Sequence, residues 1–496
     1  MKLRQLIRAL EAYHVLGPTG GEVTGLSYDS RDLEPGNLFF AWKGSRFDGH
    51  SFADRAYEKG ASGVVGEILP EGLRLHPGVP FVHVPSTRSA LSVMAGAWYH
   101  HPSRSLKVAG VTGTNGKTTT CYFLHSFLEM SGFRTGLLGT VEYRVAGLQL
   151  VATRTTPEGL ELQHFLARMR DSGSTHAVVE LSSHSLAQGR ADGIRFDVGI
   201  FTNLSPEHLD FHASMEEYFL DKCLLLRLLK RPSSYFVVNW DDPYGRRIPK
   251  FLPPHVRLIR CGIQGKEALD LEASQVKLSL SGTEFWVRWR KYPRQKVRLP
   301  HLGEHNVRNF LCALAAAWAL GISWKELTTL WEGLPQVPGR MERFSSRRGF
   351  TVVVDYAHTE EGLRYLLQTL RALGPRKLSL VVGCGGNRDR TKRPRMAQVA
   401  VEGSDRVYFT ADNPRDEPLE KIFADMQQGV PPHAGKKVHW IADRKEAIGL
   451  AIADAREGDI VCVAGKGHER TQEIAGQFLP FDDREVVRWL LSRESR

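Results

Sequence analysis

The stretch Thr112–Thr120 reads TGTNGKTTT; an apolar segment, 106–111, precedes it and CYFLHSFLEMSGF, with helical spacing, follows. Strand, glycine-rich loop and helix in that order make a phosphate cradle. The loop N–H groups and the positive helix end face the anion, Lys117 reaches the terminal phosphates, and the Thr118 hydroxyl can ligate Mg²⁺. The spacing departs from the general GxxxxGK[ST] rule. Counted back from Gly116, the first glycine should stand at 111, which is Val111; the nearest glycines are Gly110 and Gly113. The alternative is a plain Gly-rich turn beneath a helix. Nucleotide binding is favoured, and the reaction stays open.

A chain of 496 residues is too long for one hydrophobic core, so about three domains are expected. Hydrophobic content of 42% and charged content of 24% fit an ordinary globular enzyme. The N-terminus, MKLRQLIRALEAY, is amphipathic and interrupted by charge, unlike a signal peptide. The longest apolar run, 310–322, is too short to span a bilayer. A cytoplasmic protein without membrane insertion is expected. The six cysteines are scattered without CxxC or Cys/His metal spacing and read as small core residues. A net charge of +11 could suit nucleic acid, but the basic residues are spread out and no recognition motif accompanies them. Small anionic substrates account for the charge equally well.

Three sections follow from the loop outward. The central one, residues 101–336, has apolar strands at 176–180, 198–202 and 235–239 alternating with helical stretches such as 215–229, the signature of a doubly wound, mostly parallel sheet. Alternating residues at 276–280 and 285–289, around an SGT turn, predict a small antiparallel addition. Residues 1–100 mix strand-like pieces with helices and end in HHPSR, an α/β domain. After LPQVPGR, residues 337–496 again alternate strands and helices, a smaller Rossmann-like domain.

Ligands bind at the carboxyl ends of parallel strands. Glu180 ends the strand HAVVE, and NLSPEHLDFH, 203–212, follows the next, bringing His208 and Asp210 as metal ligands, bases or neither. Lys222 lies on the helix after it, where a solvated surface lysine is the plain reading.

The ordered motifs TGTNGKTT, TTP, ELSSHSLAQGR, NLSPEHLDFHASMEEY…K, HNVRN, GRMERF, VDYAHT, GCGGNRD, DNPR and GKGHE resemble the Mur ligase superfamily over essentially the whole chain. Their order is similar to the branch that adds the third residue of the peptidoglycan stem peptide. The resemblance implies an N-terminal UDP-binding domain, a central ATPase domain and a C-terminal Rossmann-like domain. It implies ATP bound by Gly113, Thr114, Asn115, Gly116, Lys117, Thr118 and Thr119, with Asn306 and Asn309 near the adenine, Arg340 on phosphate and Asp355 on ribose or between domains. Mg²⁺ would be held by Thr118, Glu180, His208 and a carbamylated Lys222. A cationic lysine beside Mg²⁺ and triphosphate would be repelled, whereas its carbamate is anionic. The sugar-peptide substrate, UDP-MurNAc-L-Ala-D-Glu, would meet Ser30 and the 44–52 loop, then Thr155, Thr156, Ser182, Gln188 and Arg190. Two departures stand out: Glu207 precedes His208 where the family usually has Asp, and Asn387 replaces the Asp of GGDRD.

The amino acid added would be chosen by Arg388, Asp412, Asn413, Arg415, Gly465 and Glu469. meso-Diaminopimelate carries a second zwitterionic centre, and Arg415 can hold its carboxylate in a bidentate fork while Asp412 and Glu469 accept from its ammonium. Lysine would set a cation against Arg415. The expectation is a monomeric, ATP-dependent ligase adding diaminopimelate through an acyl phosphate. The alternatives are a lysine-adding ligase, a folylpolyglutamate synthetase-like ligase, which lacks the N-terminal domain with DSR, and a nucleic-acid-stimulated P-loop NTPase.

Overall fold

Short apolar runs bounded by turns become strands buried on both faces when helices cover a parallel sheet. In the computed structural model they build three such sheets. The structure describes every residue except 45–46, 70–78, 210, 264, 266–267 and 495–496, so Asp210 and part of the 44–52 loop lie outside the described residues. Two compact units are present: Met1–Glu272, Arg288–Pro293 and Arg308–Leu330 form the first, and Ala273–Val287, Arg294–Val307 and Trp331–Arg496 the second. Among the described residues, no helix is long and apolar enough to cross a membrane.

The first unit holds two of the sheets. Strands β1 (His14–Leu16), β2 (Gly25–Ser27), β3 (Asn37–Ala41), β4 (Gly63–Gly66) and β5 (Phe81–His83) lie in the order β1-β5-β4-β3-β2, all parallel except β1. The larger sheet contains β6 (Lys107–Thr112), β7 (Thr135–Leu138), β8 (Glu142–Val145), β9 (Leu148–Val151), β10 (His176–Glu180), β11 (Val198–Phe201), β12 (Tyr235–Asn239) and β13 (Arg257–Ile263). Their order is β13-β12-β11-β6-β10-β7-β8-β9, parallel from β13 to β7 and antiparallel at β8 and β9. The chain builds outward on both sides of β6, so the loop after β6 sits at the switch point where doubly wound sheets bind ligands. Helix Lys117–Met130 follows it directly and buries every residue from Thr118 to Leu128. One expected helix is divided: Met215–Cys223 is α-helical, and Leu224–Leu228 tightens into a 3₁₀ turn that buries Leu225, Leu226 and Leu228.

In the second unit β14 (Leu271–Ser279), β15 (Gly282–Trp289) and β16 (Gln295–Leu299) lie side by side, β15 and β16 antiparallel, which is the predicted small addition. Strands β17 (Glu342–Ser345), β18 (Thr351–Asp355), β19 (Leu378–Val382), β20 (Arg406–Phe409), β21 (Val438–Trp440) and β22 (Ile460–Ala464) form a sheet in the order β17-β18-β22-β19-β20-β21, parallel except for edge strand β17. Its carboxyl edge is clamped from below. The buried Arg444 pairs with the buried Asp483 through two 2.7 Å bonds and donates to the carbonyls of Ala411 (3.3 Å) and Ala464 (2.9 Å), just beyond β20 and at the end of β22.

Breaking a buried pair by removing one partner costs about 3–5 kcal/mol because the other charge stays buried. Asp483→Asn should therefore lower the denaturant midpoint of the second unit's unfolding. An unchanged midpoint would contradict the clamp.

Candidate active site

The loop after β6 turns on two glycines. Gly113 (φ 143°) and Gly116 (φ 81°) occupy backbone regions that disfavour side chains, and a Cβ at Gly116 would collide with the Asn309 amide. Gly116 caps helix Lys117–Met130, whose positive end faces the loop. Lys117 Nζ curls back to donate to the carbonyls of Gly113 (3.0 Å) and Thr114 (2.7 Å). Lys222 Nζ donates to the same Gly113 carbonyl at 2.9 Å and stands 4.3 Å from the Tyr218 ring centroid. Lys222 is only 1% exposed, so the plain reading of a surface lysine is wrong. Burial, reinforced by the Lys117 charge, pushes the Lys222 amine well below its ordinary pKa, against the opposing pull of Glu207 and Asp221.

Glu180, at the end of β10, is buried with both oxygens facing the loop. Thr118 Oγ1 donates to each at 3.2 Å, while Thr140 donates from its N–H (3.0 Å) and hydroxyl (2.9 Å). Hydroxyl and carboxylate oxygens are the hard donors Mg²⁺ prefers, so this pair fits the ion. Lys222 as an amine does not fit, but its carbamate would. His208 has a left-handed backbone (φ 55°) and packs edge-on to His184, with ring centroids 4.9 Å apart. No group of three or more His, Cys, Asp or Glu arranged to hold a metal occurs among the described residues. The oxygens that face one another here are those of the Thr118 hydroxyl and the Glu180 carboxylate.

The expected sugar-peptide residues adjoin this cluster. Thr155 Oγ1 lies 3.0 Å from Thr140 Oγ1, and Thr156 Oγ1 donates to the Glu180 carbonyl at 2.7 Å and accepts from Ser182 N–H at 3.1 Å. The Ser182 hydroxyl caps helix Ser183–Ala187 by accepting from Ser185 N–H. Arg190 donates to Gln188 Oε1 (2.6 and 3.0 Å) and to the Thr156 carbonyl (3.0 Å). Ser30 is set apart on the loop after β2, its carbonyl accepting from Lys59 Nζ at 2.7 Å.

In the second unit, Asp412, Asn413 and Arg415 follow β20 and face Gly465 and Glu469 after β22. A Cβ on Gly465 (φ 112°) would lie 2.7 Å from Asp412 Oδ2, so glycine permits the approach. Arg415 pairs through Nε with Glu473 at 2.9 Å and donates from Nη1 to the Gly386 carbonyl at 2.9 Å; its Nη2 has no protein partner among the described residues. Asn413 Nδ2 donates to Glu469 Oε2 at 2.9 Å. Arg388 lies on the glycine-rich loop after β19, with Asn387 in the left-handed region (φ 52°) that asparagine tolerates. Asn306 Nδ2 donates to the Leu302 carbonyl, and Asp355 accepts from the N–H groups of Met341 and Ala357, each at 2.8 Å. Burial raises the Asp355 carboxyl above its ordinary pKa, with Arg340 opposing. The Arg340 guanidinium stands over the Tyr356 ring at 4.7 Å.

Several residues in these networks were not among the candidate site residues. Thr140 holds Glu180. Lys466, fully buried, donates to Asn413 Oδ1 (2.9 Å) and Glu469 Oε2 (2.8 Å), so one Glu469 oxygen is already engaged. Arg393 grips Glu417 and Asp425 and donates to the Gly385 carbonyl at 3.1 Å, fixing the loop beside Arg415. His212 bonds Asp221 (2.8 Å) and Ser183 (2.9 Å), tying helix Met215–Cys223 to helix Ser183–Ala187. Of these, Lys466 and His212 lie inside quoted motifs, GKGHE and NLSPEHLDFH.

Three domain families match in order: the Mur ligase family, catalytic domain, over residues 22–99; the Mur ligase middle domain over 111–317; and the Mur ligase, glutamate ligase domain, over 339–467. A UDP-N-acetylmuramoyl-L-alanyl-D-glutamate--2,6-diaminopimelate ligase from Geobacillus thermodenitrificans is 41% identical over 98% of this chain and 99% of its own. One of the same name from Bacillus licheniformis is 40% identical over 98% and 99%. A solved structure bearing that name superposes with a TM-score of 0.71 at 32% identity, covering 99% of both chains.

Gly116→Ala should weaken nucleotide binding by at least about tenfold, since Asn309 or the loop must shift. Calorimetric titration with an ATP analogue checks this, and wild-type affinity would show that the loop does not need the glycine.

Proposed function

The chain belongs to the Mur ligase family, and from that premise we propose that it adds meso-2,6-diaminopimelate to the D-Glu γ-carboxylate of UDP-MurNAc-L-Ala-D-Glu. ATP is consumed to ADP and phosphate, and the product is a peptidoglycan precursor for cell-wall synthesis. The observation that carries the specificity is Arg415, a guanidinium in the turn after β20 whose Nη2 has no hydrogen-bond partner among the described residues. The proposal includes a monomer acting in the cytoplasm, with residues 1–100, 101–336 and 337–496 as its UDP-binding, ATP-binding and amino-acid-binding domains.

The γ-carboxylate oxygen attacks the γ-phosphorus of ATP; the bond from that phosphorus to the β–γ bridging oxygen breaks, and ADP departs. The diaminopimelate amine then attacks the acyl carbon, losing a proton as the C–N bond forms and phosphate leaves. Lys117 and the loop N–H groups neutralise charge on the transferring phosphoryl group. Thr118 and Glu180, with His208 and carbamylated Lys222, would hold Mg²⁺. When bound, Mg²⁺ supplies Lewis-acid stabilisation of phosphate oxygens. In its uncharged form, which burial favours, the Lys222 amine adds to CO₂ and loses a proton, giving an anion where an ammonium would oppose the ion. Thr155, Thr156, Ser182, Gln188 and Arg190 would orient the muramoyl peptide and Ser30 its nucleotide, with Arg340 on the ATP phosphate and Asp355 on the ribose.

Diaminopimelate's second carboxylate matches Arg415, while Arg388, Asp412, Asn413, Glu469 and the Gly465 backbone surround its polar groups. Lysine would leave Arg415 against a cation. A phosphate-release assay tests the reading. Phosphate should appear only with ATP, sugar peptide and meso-diaminopimelate together, and equal or greater release with L-lysine would overturn the specificity. Nucleic-acid-stimulated hydrolysis would point to another class altogether. Arg415→Ala should raise the diaminopimelate KM by about 1.5–3 kcal/mol equivalent, the worth of a charged hydrogen bond, with the ATP KM unchanged. Unaltered diaminopimelate kinetics would remove Arg415 from the site.

A further inference from the structure

Helix Gly159–Asp171 begins with two acidic residues that gather groups from distant parts of the first unit. Glu158, its N-cap, is 4% exposed. Glu158 Oε1 lies 2.5 Å from Arg154 Nη1, 3.3 Å from Arg190 Nη2 and 3.7 Å from Arg88 Nη2. Its Oε2 is buried without a hydrogen-bond partner, as is Arg88 Nε, among the described residues. Three guanidiniums around one carboxylate leave positive charge in excess, beside Thr155 and Thr156. One turn further, Glu161 Oε1 accepts from the Tyr28 hydroxyl at 2.7 Å. Tyr28 stacks on Trp42 at 5.4 Å, and the Arg88 guanidinium stands 4.9 Å from the Trp42 ring centroid. Tyr28 lies on the same loop as Ser30, and Arg190 donates to the Thr156 carbonyl. One helical turn is therefore tied to both regions assigned to the sugar peptide.

We propose that Glu158 is a positioning residue for the sugar peptide, holding Arg190 in the peptide region and Arg88 beside the nucleotide-sugar loop so that both ends of one anionic substrate are read from a single helical turn. This rests on the substrate reading above. The positive end of the helix favours a carboxylate at this position. The excess positive charge is the complement of an incoming anion, and the single counter-charge keeps three like charges from splaying apart in its absence. A purely structural Glu158 would affect stability and all three substrates alike; a positioning role affects one.

The test uses the full-length protein and the isosteric variant Glu158→Gln. Calorimetric titration with UDP-MurNAc-L-Ala-D-Glu should show its Kd raised about tenfold or more, while the KM values for ATP and diaminopimelate stay within about twofold and the melting temperature is kept. Glu158→Asp should restore part of the affinity. Adding Arg88→Gln to Glu158→Gln should cost less than the sum of the two single changes, because the groups act as a unit. Unchanged sugar-peptide affinity, an equal rise in all three constants, or strict additivity would overturn the proposal. Wild-type protein that fails to bind the sugar peptide would instead overturn the substrate reading, and this proposal with it. Wild-type binding with an unaffected Glu158→Gln variant refutes the positioning role alone.

Discussion

Two lysine amines, Lys117 and Lys222, donate to one carbonyl oxygen, that of Gly113, inside a buried pocket. Two ammonium ions on a single backbone acceptor are costly in a low-dielectric interior, and the pocket relieves this by disfavouring charge on the deeper one. The rest of the first unit's site follows. Gly113 must be a glycine for its backbone to reach this position, Thr118 must sit in the first turn of the helix, and Glu180 must end β10 for carboxylate and hydroxyl to meet. The proposed reaction needs an anion where Lys222 stands, and burial favours the uncharged amine, the form that CO₂ can convert.

The second unit shows a comparable economy of charge. Its reading edge is made of backbone carbonyls and short polar side chains, and it is held by buried arginines outside the binding turn. Arg444 spans the ends of β20 and β22 from a pair with Asp483, while Arg393 binds Glu417, Asp425 and the Gly385 carbonyl. These arginines fix the loops on which Asp412, Asn413, Arg415 and Gly465 stand. Arg415 itself has a left-handed backbone, a conformation that surrounding contacts must sustain.

Much of this was legible from sequence. The phosphate loop, Glu180 at a strand end, the three α/β sections and the DNPR turn are local patterns, and local patterns map onto strand ends and caps. Helix position alone does not show that Lys222 is buried, because its burial depends on Tyr218 and on a carbonyl 109 residues away. The Glu158–Arg88–Arg190 cluster, Thr140 on Glu180 and the Arg444–Asp483 pair could not be read. Each joins residues whose proximity is set by strand order and not by spacing. The division of the 215–229 stretch at Cys223 was invisible for a related reason: the run LLLRL satisfies either helical pitch, and the core selects the tighter one.

The account stands on Lys222 working as an anion. Carbon-13 NMR of the protein equilibrated with ¹³C-labelled bicarbonate measures this directly. A carbamate carbonyl resonance in the wild-type protein, absent from Lys222→Ala, is the predicted result. Full ligase activity in CO₂-depleted buffer, with no such resonance under any condition, would contradict it.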